Sequence, residues 1–370
     1  MILEELSILN YKNIEQADLH FSPGINCFVG NNGMGKTNLL DAIYYLSFCR
    51  SYTNPVDSQV IRHDTDICMI QGRYVTNDDT SIEIYSGLRR RQKKQFKRDK
   101  KAYEKLTDHY GLIPLVMISP ADNELIAGAS EERRKFMDMA ISQYDREYLR
   151  ALVQYNKALQ QRNVLLKSEE GDLDVDLLEL WDEQLVASGN PIHQRRKAFV
   201  EELVPIFNEF YGRVSRSNES VSLAYSSQLT SADFGKRLIQ NRQRDMLLGH
   251  TTVGIHRDEL EMLLDGYPMK RVGSQGQNKT FFVSLKLALF QFLLKRGHAV
   301  PILLLDDIFD RLDTHRVEEI VKLVSEPSFG QIFISDTNRE SFDKLLERYN
   351  DDYNYRVYSV VEGTVTPMSE

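Results

Sequence analysis

The chain has 370 residues, 42% hydrophobic and 27% charged, with a formal net charge of −8, a balance that suits one large core or two modest ones and excludes a disordered chain. The N-terminus MILEELSILN carries Glu4 and Glu5 where a secretory signal needs positive charge, and the longest apolar helix candidate, 281–294, is interrupted by Lys286 and Gln291, short of the roughly 18 apolar residues of a membrane span. Cys27, Cys49 and Cys68 are odd in number, widely spaced and without a CxxC or Cys/His pattern, so neither a disulfide framework nor a zinc site is expected and the cytoplasm is the expected compartment.

In chain order, ILEELSILNY and INCFVG read as strands on either side of a turn at Ser22-Pro23-Gly24, and TNLLDAIYYLSF (37–48) reads as a helix with an apolar face. Between strand and helix stands GNNGMGKT, Gly30 to Thr37, which fits the phosphate-binding pattern GxxxxGK[ST]. Glycines let consecutive backbone N–H groups turn toward phosphate oxygens, and the helix N-terminus favours the anion. Lys36 reaches the β- and γ-phosphates and the Thr37 hydroxyl ligates magnesium. The pattern predicts a nucleoside triphosphate site that includes Asn31, Asn32, Gly33, Met34, Gly35 and Asn38.

From about 68 to 118 the text is β-rich, with CMIQGRYV, SIEIYSG and PLVMIS and a turn at Asn77-Asp78-Asp79. Within it, RRRQKKQFKRDKK (89–101) holds nine Lys/Arg in thirteen positions against the single acid Asp99. Such a run is either a solvated hairpin tip or a phosphate-binding surface. From Glu131 to about Lys167 the pattern turns helical, and after the polar stretch KSEEGDLD a second helix is expected from about Val175 to Arg213, kinked or broken at Gly189-Asn190-Pro191. An antiparallel pair of about 24 residues each makes a short arm of about 36 Å. Tyr144, Tyr148, Leu152 and Tyr155, at helical spacing, read as packing between helices, and Trp181 reads as arm core.

After Ser217 the chain returns to strand-like text, then to SQGQNKT (274–280) before the apolar FFVSLKLALFQFLL. Taken alone, Ser274 caps a buried helix. Next, PILLLDD is an apolar strand ending in Asp306 and Asp307, which supply the acids a P-loop requires: Asp306 for magnesium, Asp307 to orient the attacking water. These acids lie 276 residues beyond Gly30, so a large insertion separates the halves of the nucleotide fold. A helix at 314–324 and the strand GQIFISD follow.

SQGQ, 32 residues ahead of Asp306, resembles the signature turn of ABC-type ATPases. The resemblance implies that Ser274, Gly276 and Gln277 meet the nucleotide of a partner subunit, so that ATP joins a head-to-tail pair, and DRLD, with Leu312 and Asp313, matches the loop that crosses such an interface. Over essentially the whole chain the sequence resembles the RecF family of bacterial recombination mediators, short-armed relatives of the SMC ATPases. The matches are SPADNELIAGASEERRKFMD (119–138), VGIHRDEL (253–260) and NYKNI (10–14). By resemblance Lys12 and Asn13 lie near the phosphates and Arg62 near the base, while His256 and Arg257 either touch ligand or form a buried polar network. Ala121 and Ser130 depart from the family pattern, which has an acid and a proline there. Asp307 stands where many ABC ATPases have Glu, and Asp336 or Thr337 where transporters have a switch His.

The implied fold is α/β: an ABC-type ATPase head, a P-loop mixed sheet with helices, plus a short helical arm lobe. It divides into 1–130 (N-terminal half of the head with a β-rich subdomain), 131–215 (arm) and 216–370 (C-terminal half with signature, acid pair and D-loop). The implied function is a slow ATPase that uses ATP and Mg2+. Its ATP-closed homodimer binds DNA at gaps and single-strand to double-strand junctions, with Lys93, Lys94, Lys97, Arg98, Lys100 and Lys101 as phosphate contacts. It works with RecO and RecR to load RecA. The alternative, a transporter's nucleotide-binding subunit, shares the P-loop, signature and acid pair. A nuclease-bearing relative would need a further acidic domain, and about 30 residues follow GQIFISD.

Overall fold

Strands dominate the first third of the chain, as its β-rich text predicts. They are β1 (Ile2–Tyr11), β2 (Ile14–His20) and β3 (Ile25–Val29), then, after helix α1 (Lys36–Phe48), β4 (Ile67–Val75), β5 (Ser81–Arg89), β6 (Gln95–Arg98), β7 (Lys101–Ala102) and β8 (Leu115–Ile118). The computed structural model describes all residues except 77, 168–173, 216–218, 232, 298, 310–311, 338–354 and 369–370. The chain folds as two compact units, Met1–Asp122 with Arg213–Ser215 and Val283–Glu370, and Asn123–Gly212 with Arg216–Phe282.

Further along, the chain forms α2 (Glu124–Ala127), α3 (Ser130–Ser142), α4 (Arg146–Leu165), α5 (Val175–Ser215), β9 (Val221–Ser226), α6 (Phe234–Leu248), β10 (Glu259–Leu264), β11 (Tyr267–Pro268), α7 (Met269–Val272) and α8 (Gln275–Arg296). It ends with β12 (Ile302–Asp306), α9 (Thr314–Val324), β13 (Ile332–Asp336), β14 (Tyr355–Val361) and β15 (Thr364–Pro367).

The first unit has two six-stranded sheets. One is antiparallel, in the order β2-β1-β4-β5-β6-β7; the other runs β15-β14-β3-β13-β12-β8. In the second, β14, β3, β13, β12 and β8 pair in parallel and only β15 is antiparallel. Parallel strands buried on both faces read as continuous apolar runs, and ILLLD of β12 is buried at every position.

Helix α1 lies between these sheets, touching β1, β4 and β5 on one side and β8, β12 and β13 on the other. Eleven of its thirteen residues are buried, which a helix flanked by two sheets requires. Its C-terminal end is fixed by polar contacts: the Ser47 hydroxyl donates to the Ile113 carbonyl at 2.6 Å, and His109 Nε2 lies 2.6 Å from the Leu46 carbonyl.

The second unit packs α3 against a three-stranded sheet, order β11-β10-β9. The helical text from Glu131 is two helices: Asp145 ends the gap between them, its carboxylate accepting from the Tyr148 N–H at 2.8 Å. Of the polar turn KSEEGDLD, residues 168–173 lie outside the described residues. The expected break at Gly189-Asn190-Pro191 does not occur. Helix α5 runs unbroken for 41 residues with Pro191 and Pro205 inside it, about 62 Å at 1.5 Å per residue against the expected 36 Å. The Ser188 hydroxyl donates to the Gln184 carbonyl at 2.6 Å. Gly189 also admits the rings of Phe234 and Tyr155, and a Cβ there would lie 2.8 Å and 3.2 Å from them. The helix continues through Pro191 and Pro205 although each lacks a backbone N–H. Fully buried Arg162 joins α4 to α5 and α6 through Asp182 at 2.5 Å and Asp245 at 2.7 Å.

His109 yields a pH prediction. A carbonyl only accepts, so Nε2 carries the proton given to Leu46, and Nδ1 accepts from the Tyr103 hydroxyl at 3.0 Å. Burial pushes the imidazole down to about 4. The folded value lies below the unfolded one of about 6.5, so the contribution of this residue is whole above pH 6.5 and is lost as pH falls, amounting to about 3 kcal/mol by pH 4. His109→Gln is expected to flatten the fall of the urea midpoint between pH 6.5 and 4; a variant with the wild-type slope contradicts the assignment.

Candidate nucleotide site and basic hairpins

The phosphate-binding text folds as strand β3, a tight loop and the N-terminus of α1. Gly33 and Gly35 have φ of +81° and +111°, values open to glycine. A Cβ on Gly30 would lie 2.3 Å from the Val360 carbonyl oxygen of β14, and one on Gly35 would lie 2.7 Å from the Asn13 side chain, whereas one on Gly33 would meet nothing within 4 Å. The loop is thus clamped at Gly30 and Gly35 and open at Gly33. Lys36 Nζ donates to the carbonyls of Gly30 at 2.7 Å and Asn31 at 3.0 Å.

Parallel pairing of β12 through β13 to β3 brings the distant acids to the loop. The Thr37 hydroxyl donates to Asp306 Oδ1 at 2.9 Å, and the Ser335 hydroxyl donates to the same oxygen at 2.6 Å. Asp307 sits at φ +47°, with its N–H 3.2 Å from the Ser335 carbonyl. A cleft is lined by Asn32, Gly33, Gly35, Lys36, Thr37 and Asn38 on one side and by Asp306 and Asp307 on the other.

Burial pushes the Lys36 ammonium down, opposed by the charges of Asp307, Asp306 and Asp336. Burial pushes the Asp306 carboxyl up, opposed by its hydrogen bonds from Ser335 and Thr37. Hydroxyl and carboxylate oxygens are the ligands a hard divalent cation takes, and a glycine loop with a lysine is chemistry for polyphosphate. The residues present fit both groups.

The other expected nucleotide residues are placed unevenly. Asn13 touches the loop: its Nδ2 donates to the Met34 carbonyl at 3.1 Å and its Oδ1 accepts from Asn38 Nδ2 at 2.7 Å. Lys12 is ion-paired with the fully buried Asp41 of α1 and donates to the Thr53 hydroxyl at 2.6 Å. Asp41 also accepts from the Tyr11 hydroxyl (2.6 Å), the Ser51 hydroxyl (2.7 Å) and the Tyr52 N–H (2.6 Å). Arg62 pairs with Glu15 at 3.1 Å. Asp313 caps α9, accepting from the Arg316 N–H at 2.9 Å; Asp310 and Arg311 lie outside the described residues.

SQGQ opens α8 as a capping box. The Ser274 N–H donates to Gln277 Oε1 at 2.8 Å, and the Gln277 N–H donates to Ser274 Oγ at 3.2 Å. Gln277 Nε2 also donates to Glu219 at 2.8 Å. Ser274 is exposed, and the first-turn N–H groups at Gln275 and Gly276 have no helical acceptor.

The basic run becomes strands β6 and β7 with their turns. Lys94 is consumed internally, its ammonium 2.5 Å from the Cys49 carbonyl, 2.9 Å from Asp57 and over the Tyr45 ring. Lys97 lies over the Tyr85 ring and Arg98 lies 3.4 Å from Asp99. Lys93, Arg98, Lys100 and Lys101 are exposed.

The elements at 119–138 and 253–260 meet in one network of the second unit. Arg133 forks onto Glu259 at 2.6 and 2.9 Å, Arg134 donates to the Asp258 carbonyl, and buried Arg196 bridges Asp138 and Asp258, each at 2.8 Å. His256 belongs to this interior: Nδ1 lies 2.7 Å from the Tyr155 hydroxyl and Nε2 lies 3.0 Å from the Thr251 carbonyl. Tyr148 and Tyr155 are fully buried, as packing residues should be, while Trp181 is half-buried. Sequence reasoning missed Ser335, Asp41 and the β14–β15 turn, whose Gly363 N–H donates to the Met34 carbonyl at 2.8 Å. A lone Ser, Asp or Gly has no spacing signal to find it by.

The family model of the RecF/RecN/SMC N-terminal domain matches residues 2–366. A DNA replication and repair protein RecF of Bacteroides fragilis (strain YCH46) is 56% identical over 370 residues, covering 100% of this chain and 99% of the relative. One from Porphyromonas gingivalis (strain ATCC 33277) is 47% identical over 367 residues, covering 99% and 100%. A solved structure of the recombination mediator protein RecF-ATP in the RecFOR pathway is 30% identical with a TM-score of 0.88, covering 100% of this chain and 98% of that one. An Smc head bound to the C-terminal winged-helix domain of ScpA, 16% identical with a TM-score of 0.58, shares the fold.

Lys12→Ala tests the Lys12–Asp41 pair. Removing one partner of a buried ion pair costs about 3 kcal/mol or more. The nucleotide-free variant is therefore expected to melt several degrees below wild type by calorimetry; an unchanged midpoint would show that Asp41 does not depend on Lys12.

Proposed function

The chain belongs to the RecF/RecN/SMC family and, within it, to the RecF proteins, and on that membership we propose that it is an ATP-dependent DNA-binding protein of replication and recombinational repair. The observation that carries this reading is the Thr37–Asp306 contact across the glycine loop, which joins residues 269 apart in sequence into a site fit for polyphosphate and metal.

Thr37 and Asp306 would hold magnesium, which when bound stabilises charge on phosphate oxygens. Lys36 leaves the Gly30 and Asn31 carbonyls for the phosphates, and the loop from Gly30 to Asn38 supplies N–H donors. Asp307 orients the attacking water. Its side chain is one methylene shorter than Glu, so water is held less well and hydrolysis is slow. Asn13 supports the loop, and Lys12 and Arg62 flank it. Ser274, Gly276, Gln277 and Asp313 face the nucleotide of a second copy, so that ATP closes a homodimer; an exposed helix N-terminus suits an anion brought by a partner.

The closed dimer holds DNA at gaps and single-strand to double-strand junctions. Lys93, Lys97, Arg98, Lys100 and Lys101 carry the phosphate contacts, with Lys94 shaping the hairpin. Solved RecF belongs to the RecFOR pathway, which supports RecR and RecO as partners and RecA loading as the outcome. Among the described residues no helix is long and apolar enough to cross a membrane, and the cytoplasm is the compartment of this reading. The comparisons give the transporter alternative no support.

Anisotropy on a gapped duplex tests the clamp. ATP is expected to tighten binding relative to ADP or no nucleotide, Ser274→Arg to abolish that enhancement alone, and added salt to weaken binding steeply; binding indifferent to nucleotide and to Ser274→Arg sinks the mechanism. ATP turnover is expected well below the ordinary enzyme median of about 10 per second. A phosphate-release assay above that value would reject Asp307 as the cause of slow hydrolysis.

A further inference from the structure

Two hairpin turns from distant parts of the chain meet on the phosphate loop. Lys12-Asn13 joins β1 to β2, with Tyr11 opposite Ile14, and Glu362-Gly363 joins β14 to β15, with Val361 opposite Thr364. In the second turn both central residues have positive φ, 48° and 81°, the geometry of a type I′ turn. The Gly363 N–H donates to the Met34 carbonyl at 2.8 Å, and the Glu362 N–H points at Met34 Sδ at 3.4 Å. Asn13 Nδ2 donates to the same carbonyl at 3.1 Å. The turns also touch each other, since a Cβ on Gly363 would lie 2.3 Å from the Asn13 carbonyl oxygen.

We infer that Asn13 and Gly363 are positioning residues which clasp Met34 and so aim the Gly35 N–H into the cleft. A trans peptide unit points its carbonyl and N–H in opposite directions. With the Met34 carbonyl held outward by two donors, the N–H of the same peptide unit, that of Gly35, faces the cleft that Gly35 lines. Among the described residues that N–H donates to nothing, which leaves it free for an anion. Two further contacts hold the clasp in place. Asn13 Oδ1 accepts from Asn38 in the first turn of α1, and the Gly30 end of the loop rests against Val360, two residues before the turn. The donor is prearranged rather than recruited, which lowers the ordering cost when phosphate arrives.

This inference rests on the nucleotide reading, and the test separates the two. Wild type, Gly363→Ala, Asn13→Ala and Gly266→Ala are compared by hydrogen exchange of the peptide spanning 30–37 in nucleotide-free protein, and by calorimetric titration with inorganic tripolyphosphate. Gly266 is the matched control: it occupies a two-residue turn at φ +80°, with nothing within 4 Å of a Cβ, so its substitution carries the backbone strain without the clash. Gly363→Ala and Asn13→Ala are expected to speed exchange of the loop and to raise the tripolyphosphate Kd about tenfold, roughly one hydrogen bond, while Gly266→Ala leaves both at wild-type values. Wild-type exchange and affinity in Gly363→Ala and Asn13→Ala, or an equal loss in Gly266→Ala, overturns the clasp. If Gly363→Ala does not fold, Asn13→Ala, which adds no backbone strain, decides. A wild type that does not bind tripolyphosphate sinks the nucleotide reading instead, and the exchange comparison still decides the clasp.

Discussion

The geometry of the cleft depends on the fixed seat of one helix. Nearly all of α1 is buried between two sheets, and apolar contact alone, being non-directional, leaves such a helix free to rotate or slide by small amounts. Asp41 removes that freedom. Its carboxylate, wholly inside, is met by the Tyr11 hydroxyl from β1, by the Ser51 hydroxyl and Tyr52 N–H just beyond the helix, and by Lys12. A buried charge is costly unless it is paired and hydrogen-bonded, so one rotation and one height of the helix are favoured over their neighbours. Lys36 and Thr37 stand one turn before Asp41 and inherit that setting, and the 2.9 Å contact of Thr37 with Asp306 follows from it.

The parts of this molecule legible in its sequence are those where chemistry imposes spacing. Glycines, lysine and threonine must be consecutive to wrap a phosphate, and an apolar strand must end in its acid, so the loop and Asp306 declare themselves. Ser274 is legible as a cap: it pairs with Gln277, and that pairing leaves the N–H groups of Gln275 and Gly276 without a helical acceptor. Side chains acting singly left no mark: Ser335, Asp41 and Gly363 are ordinary residues until the fold brings partners to them. The expected break of α5 at Gly189-Asn190-Pro191 does not occur, and the rings that pack beside Gly189 come from α4 and α6, which the local text does not reveal.

Charge was similarly divided between structure and surface. A chain of net charge −8 concentrates cations at 89–101, yet Lys94 is spent on Asp57 and a carbonyl, and Arg90 lies along the carbonyls of Thr65, Ser58, Ile61 and Arg62. Counting basic residues therefore overstates the charge offered to a ligand. The exposed remainder is Arg89, Arg91, Lys93, Arg98, Lys100 and Lys101, around the turns on either side of the short strand β6.

The order of strands around β3 bears on how the protein is made. The loop is written at residues 30–37, but β3 is bordered on one side by β13 and on the other by β14, and the turn that grips Met34 arrives at residue 363. A chain emerging from the ribosome carries its phosphate loop from the start with neither neighbour in place. N-terminal segments otherwise tend to fold first; here the earliest motif must wait for the latest strands. A chain cut short before β13 would keep the loop's sequence without its walls, so a competent cleft requires that β13, β14 and the turn at Gly363 all be present.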